Sequence, residues 1–380
     1  MNNVGKLILA VSGMVVVVVV VVIVVYITLD QSGSARKQNR IGNQNNLMQQ
    51  KDTSEVMDYR IKYYEELFEQ HAITFNLPVV SNRQEKVLVL GIVQNAADKL
   101  PVTLHFVRKT LEAFPNSQCV IYENNSKDET STVLKSFVHD RFSAICETIS
   151  EQEFEEHITA RTRHKKVICR EYRIAYIRNK LLGKVESILS SFDYVMWIDV
   201  DGICWSIPGV ANSLDQVDKW DILACLGMGD HTQEATRDLY YDFYAYRDVA
   251  YPLGPELLGE YWWENKPIVD TKWNQNMDGF LRPVFSAFSG LCLYRSEIFT
   301  FCRYSAAPSE NVTEWCKEFP QREPIETLCD ARFQTDPNVK WICSNSDEPV
   351  ICEHVTLNIE AQKKGFTRVF INPKMIVFYC

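Results

Sequence analysis

Four stretches of the chain are apolar enough for buried β-strands, and stretches with helical spacing of hydrophobic residues separate them. The strands are expected at Lys86–Val93 (KVLVLGIV), Gln118–Tyr122 (QCVIY), Ala144–Ile149 and Tyr194–Val200 (YVMWIDV). Helices are expected over Val102–Phe114, from Ser126 to Val138, and over Val167–Ser191. Ser126-Lys-Asp-Glu129 has the spacing of a capping box, in which a hydroxyl and a carboxylate satisfy the first free amides of a helix. Strand and helix in alternation predict an α/β fold with a mostly parallel sheet flanked by helices. Ligands of such sheets bind beyond the carboxyl ends of the strands.

The pattern differs ahead of this region. Residues 7–29 form a mostly apolar run with unbroken valine from Val15 to Val22, long enough as a helix to span roughly 30 Å of hydrocarbon. No small-residue cleavage site follows at Tyr26-Ile-Thr-Leu-Asp30, so a permanent transmembrane anchor is expected behind a short tail, residues 1–6. Residues 30–85 then read as a stem, Gln/Asn-rich from Gln38 to Gln50, with one amphipathic helix at Tyr59–His71. Residues 86–380 show no repeat and read as one catalytic domain.

Composition narrows the function classes. The chain has 380 residues and a formal charge of −9, with no long Lys/Arg run, so nucleic acid is not an expected partner. Twelve cysteines include no C-x-x-C, and seven of them lie from Cys292 onward. Disulfides in an oxidising lumen and small buried thiols both fit them. Membrane orientation is also open. Arg36, Lys37 and Arg40 after the span argue for a cytosolic domain. The cysteines and the Asn311-Val-Thr313 sequon favour a Golgi or other endomembrane protein with a luminal domain. A second sequon, Asn124-Asn-Ser126, lies where a ligand is expected, so Asn124 is expected to stay unmodified.

The chemistry concentrates at two strand ends. Glu123 ends the second strand, and Asp199-Val-Asp201, followed by Gly202, ends the fourth. Two carboxylates held this close are costly without a cation between them. Mg²⁺ or Mn²⁺ takes carboxylate oxygens and completes its shell with substrate phosphates. Asp199 and Asp201 are therefore candidate metal ligands, with Asp199 also touching the diphosphate ligand. Arg173, Arg178 and Asn179, on the helix before this strand, are candidate diphosphate partners, because guanidinium donates to phosphate in pairs. No G-x-S-x-G, H-E-x-x-H or P-loop pattern competes.

Arg173-Ile-Ala-Tyr-Ile-Arg178-Asn179 followed by Phe192-Asp-Tyr-Val-Met-Trp-Ile-Asp199-Val-Asp201 resembles the donor-binding half of GT-A glycosyltransferases. It is most similar to the fungal capsule α-1,3-mannosyltransferase (cryptococcal mannosyltransferase) type. Val120-Ile-Tyr-Glu123-Asn-Asn125-Ser resembles that group's nucleotide-contacting loop, which implies donor contacts from Glu123 and Asn125. Phe285-Ser-Ala-Phe-Ser-Gly290-Leu-Cys-Leu-Tyr294 is similar to the bent strand lining the sugar pocket, which implies a place there for Gly290. Cys352-Glu353-His354 with Lys363-Lys-Gly365 resembles the acidic motif and helix closing the site. The resemblance implies a metal-dependent enzyme, here behind the expected membrane anchor, moving a sugar, with mannose the sugar of the type it most resembles, from a GDP- or UDP-sugar to a glycan or glycoprotein acceptor. A non-catalytic, lectin-like protein on the same fold is the contrasting expectation.

Three more residues complete the candidates. Glu353, at the start of the last helix, is a candidate general base or a carboxylate favouring the helix amino terminus. His354 is a candidate third metal ligand or a structural histidine. The aromatic, acidic segment from Leu226 to Arg282 reads as the acceptor side or as a private core. Within it Asp278, in an Asp-Gly turn, is the candidate catalytic residue, a carboxylate aimed at the acceptor, or else a solvated turn aspartate.

Overall fold

The computed structural model describes residues 53–230, 239–275, 278–324, 326–343 and 346–379. Eleven helices are described: α1 (Thr53–Thr74), α2 (Leu100–Ala113), α3 (Thr130–Ser136), α4 (Glu151–His157), α5 (Arg170–Leu189), α6 (Ile207–Leu214), α7 (Pro255–Leu258), α8 (Lys266–Gln275), α9 (Ile298–Phe301), α10 (Glu310–Cys316) and α11 (Glu353–Lys363). Ten strands form one sheet: β1 (Val87–Val93), β2 (Gln118–Asn124), β3 (Phe142–Glu147), β4 (Tyr194–Asp199), β5 (Ile203–Trp205), β6 (Ile222–Met228), β7 (Tyr240–Tyr241), β8 (Arg282–Pro283), β9 (Leu291–Arg295) and β10 (Val369–Tyr379).

Its main path runs β3-β2-β1-β4-β9-β6-β10-β5. The first four strands pair in parallel, as the alternation with helices predicts. The rest of the sheet is mixed, adding antiparallel strands to this parallel set. β9 inserts antiparallel between β4 and β6, and β5, β7 and β8 are also antiparallel to their partners, while β6 and β10 run parallel. The antiparallel partners lie far apart in the chain, β4 and β9 being separated by residues 200–290, so no local sequence pattern announces these pairings.

The expected helix over Val167–Ser191 is α5, whose buried face carries Ala175, Arg178, Leu181, Leu182, Val185 and Leu189 at helical spacing. The expected capping box does not form. Ser126 Oγ instead accepts the Asn95 amide at 2.9 Å, and Asp128 accepts the Thr130 amide at 3.1 Å, so α3 starts only at Thr130. The compact unit spans Arg60–Cys380 and so begins ahead of Lys86. Within it, Tyr64 and Phe68 of α1 pack on Phe378 of β10, with ring centroids 5.4 and 5.6 Å apart. The apolar run 7–29 lies outside the described residues. Among the described residues no helix is long and apolar enough to cross a membrane.

The cysteines divide. Cys329 and Cys343 form a disulfide, and nine others are free thiols, most of them buried. A disulfide and buried thiols are thus both present, in different residues. Of the two sequons, Asn124 is 4% exposed, and the Asn311 amide donates to Glu360 Oε2 at 2.7 Å.

Candidate active site

The carboxyl ends of β1, β2 and β4 face a cleft of about 340 Å³, closed on its far side by Tyr241, Asp242, Phe288 and the start of α11. Parallel register aligns these ends: Asp199 lies opposite Ile92, and Val93 opposite Glu123. β4 therefore delivers Asp199, Val200 and Asp201 to the cleft together. Gly202, with φ +102°, turns the chain away after them.

Asp199 is held from three sides. Its amide donates to the Gly290 carbonyl at 2.8 Å, its Oδ2 accepts the Tyr379 hydroxyl, and its Oδ1 lies 3.7 Å from the Arg178 guanidinium. Burial and the neighbouring Asp201 push its carboxyl up to about 7, against the pull of Arg178. Asp201 is exposed at the cleft mouth. Asp242, which also lines the cleft, is pushed up to about 6 by burial and by Glu353.

Arg178 is the principal counter-charge. It is 3% exposed, its Nε donates to Glu353 Oε1 at 3.2 Å, and its guanidinium lies 5.0–5.4 Å from the ring centroids of Trp197, Phe288 and Tyr304. Such a cage holds a cation by its ring quadrupoles while excluding water. Its Nη1 is buried without a hydrogen-bond partner, an orphaned donor in a cleft-lining group.

Several candidates take structural places instead. Asn125, at φ +57°, exchanges two hydrogen bonds with the Ile149 backbone at 2.7 and 2.8 Å, which pins its loop to the segment after β3. Glu123 accepts the Ser126 amide at 2.9 Å in the same turn. Neither lines the cleft, whereas Asn124 and Gln94 do, joined by a 3.0 Å bond from Gln94 Nε2 to the Asn124 carbonyl. Asn179 likewise spends both ends of its amide on the Tyr304 backbone. Asp278 is exposed, ion-paired with Arg282 and away from the cleft, so the solvated-turn alternative describes its place.

Arg173 does line the cleft, though it is also paired with Glu151 and stacked over Phe154 at 4.5 Å. Gly290 lies behind the cleft wall. At φ +87° it is in left-handed space, and a Cβ there would meet the Tyr379 hydroxyl at 2.8 Å. Its role is to position Asp199 and Tyr379.

His354 stacks on Phe288 with centroids 3.8 Å apart and is 2% exposed. Burial and Arg178 hold its imidazole well below the usual range, hence neutral. Among the described residues no three of His, Cys, Asp and Glu converge closely enough to hold a metal ion. His354 therefore does not complete a protein ligand set with Asp199 and Asp201.

Residues 87–353 match the family model described as Cryptococcal mannosyltransferase 1. The chain belongs to this family of glycosyltransferase enzymes. No curated protein is similar enough in sequence to match it. Solved structures similar to the chain include S. aureus TarS 1–349 in complex with UDP-GlcNAc, at 12% identity and TM-score 0.31 over 61% of this chain and 52% of that one. GalNAc-T7 with UDP, GalNAc and Mn²⁺ matches at 11% and 0.41, over 78% and 44%. Mannosyltransferase PcManGT from Pyrobaculum calidifontis, in complex with GDP-Man and Mn²⁺, matches at 10% and 0.35, over 70% and 61%. The chain thus spans about half the length of the TarS fragment.

The family match takes in the cleft as far as Glu353, but not Tyr379. Sequence reasoning missed Tyr379 and Asp242. Asp242 had a weak signal, as one acid among several in an aromatic segment. Tyr379 had none, because its place depends on β10 threading the sheet beside β6.

Proposed function

We propose that this cleft binds a nucleotide-diphosphate sugar, with mannose the sugar the family description favours, and transfers the sugar to an acceptor hydroxyl. The observation that supports this most is the acid pair ending β4 beside a buried, incompletely partnered arginine. Asp201, with Asp199 behind it, would hold Mn²⁺ or Mg²⁺. The donor set is two hard carboxylate oxygens with surplus negative charge, which fits a divalent ion whose remaining positions go to water and phosphate. Such an ion supplies Lewis-acid stabilisation of a leaving diphosphate.

The protein's own residues do the rest in this reading. Arg178 offers its free Nη1 to diphosphate oxygen, and Glu353 holds that guanidinium in line. Tyr379 and the Gly290 carbonyl fix Asp199, so its second oxygen faces the cleft. An acceptor oxygen then bonds to the anomeric carbon as the bond from that carbon to the diphosphate oxygen breaks. The electron pair leaves on the diphosphate. Asp242 takes the hydroxyl proton, because a carboxyl raised to about 6 is poised near neutrality, whereas Glu353 is committed to Arg178. The protein is further read as anchored through residues 7–29 with its enzyme domain in an endomembrane lumen, which protease protection in microsomes checks.

The deciding experiment is thermal denaturation with GDP- and UDP-sugars, with Mn²⁺ and with chelator. Stabilisation by one nucleotide sugar only with metal present is expected. No shift with any of them would sink the reading.

A further inference from the structure

A second cleft of about 780 Å³ adjoins the first and shares Arg170, Glu171 and Tyr244 with it. Its outer wall is the turn Gly259–Asn265, which carries Trp262 and Trp263. Most aromatics between Leu226 and Arg282 form a private core: Tyr240 stacks on Trp273 at 5.7 Å, and Tyr246 and Trp262 are buried. Tyr241, Trp263 and Phe280 are exposed, and of these only Trp263, at 59% exposure, lines this cleft. Its ring is braced edge-on against Trp262 at 4.5 Å, and Trp262 stacks on Phe243 at 4.4 Å. The turn itself is pinned. Glu326 Oε1 accepts the Glu260 amide at 2.6 Å, and Gly259, at φ +54°, leaves no room there for a side chain.

A rigid, exposed indole beside a transfer cleft offers a flat face for the C–H face of a sugar ring. The charges around it select among sugars. Glu171, Glu260 and Glu326 line this cleft, and Glu256 there is neutralised by its buried ion pair with Arg247. Arg170 is the only basic residue among the described lining residues. Carboxylates accept from hydroxyl donors and repel other anions.

We propose that this cleft is the acceptor subsite and takes a neutral oligosaccharide, one ring of which lies on Trp263. The proposal rests on the glycosyltransferase reading of the neighbouring cleft. The shared residues Arg170 and Tyr244 form the passage through which the acceptor hydroxyl reaches the donor. Neutral glycans, rather than uronic-acid-bearing or phosphorylated ones, are the substrate class, and the acidic lining is the filter.

The test is saturation-transfer NMR on the full chain with short neutral oligosaccharides and their uronic-acid-bearing counterparts, with donor binding read separately by thermal shift. Trp263→Ala is expected to weaken neutral-glycan binding about tenfold, Trp263→Phe to restore most of it, and the donor shift to stay in place. Glu260→Lys, at an exposed position, is expected to admit the acidic glycans. The proposal is overturned if wild type binds no neutral glycan, if Trp263→Ala binds them as tightly, or if acidic glycans bind wild type better. Glycan binding at Trp263 without any donor shift would instead overturn the donor reading and leave this subsite standing.

Discussion

Two aspartates at opposite edges of the same sheet show how differently one side chain is treated. Asp221, just before β6 on the amino edge, is 6% exposed and fully answered. Arg368 reaches it through its amide at 3.0 Å, Nε at 3.1 Å and Nη2 at 2.6 Å, and Arg295 Nε adds a fourth donor at 3.2 Å. Burial alone would raise its carboxyl, but the hydrogen bonds and charges of Arg368 and Arg295 together hold it below the usual range. Asp199, on the carboxyl edge, has one arginine at 3.7 Å and a second aspartate two residues on, and is raised to about 7. The amino edge is finished, whereas the carboxyl edge is left short of positive charge. That shortage is what a bound cation and its diphosphate would relieve.

The comparison breaks first on activity. Asp201→Asn is expected to lower sugar transfer about a thousandfold, the scale of losing one preorganised electrostatic contact, and to abolish metal-dependent thermal stabilisation while the metal-free fold stays intact. Transfer at wild-type rate would mean the carboxyl edge does not use its charge.

Stability is expected to show the reverse order. Asp221→Asn leaves two arginines facing a neutral amide and is expected to cost about 3 kcal/mol in urea unfolding, the lower end for breaking a buried pair. Asp199→Asn removes one of two repelling carboxylates and is expected to cost far less. Equal costs would erase the distinction between the edges.

Titration sharpens it. Asp199 and Asp242 titrate near 7 and 6 in the folded chain, against about 3.9 in an unfolded one. The native state thus holds more protons between these values, and their contribution to stability falls as pH rises from about 4 to about 7. Asp221 acts oppositely, stabilising above its unfolded value and losing that contribution as pH falls below it. Metal-free protein is expected to lose stability towards pH 7, with Mn²⁺ cancelling the loss because binding requires the deprotonated carboxylates. A slope unaffected by Mn²⁺ would place the ion elsewhere.

The smallest expected effect is structural. Gly290→Ala forces a left-handed residue to carry a Cβ against Tyr379 and is expected to cost about 1 kcal/mol. Because Tyr379 and the Gly290 carbonyl both hold Asp199, donor affinity is expected to fall as well, read by the donor thermal shift. Stability loss with unchanged affinity would make Gly290 a turn residue only.

The sequence by itself determined the local elements of the first half and the residues that meet at one strand end. Tyr194–Val200 reads as a buried strand ending in two acids because burial, strand length and carboxylate spacing are all local properties. Arg178 was also legible as a phosphate partner, but not as a caged one, since Trp197, Phe288 and Tyr304 come from three distant segments. Only the tertiary structure decided that Asn125 and Asn179 brace backbone, that Asp278 stays in solvent, and that Tyr379 reaches Asp199. The insertion of β9 between β4 and β6, and the course of β10 along the far side of β6, bring the last residues of the chain to the site. Strand order is a property of long-range pairing, chosen by which apolar faces and backbone groups can be satisfied together. A window of sequence carries each strand's pattern but not its neighbour, so the site's second half became visible only when the sheet closed around it.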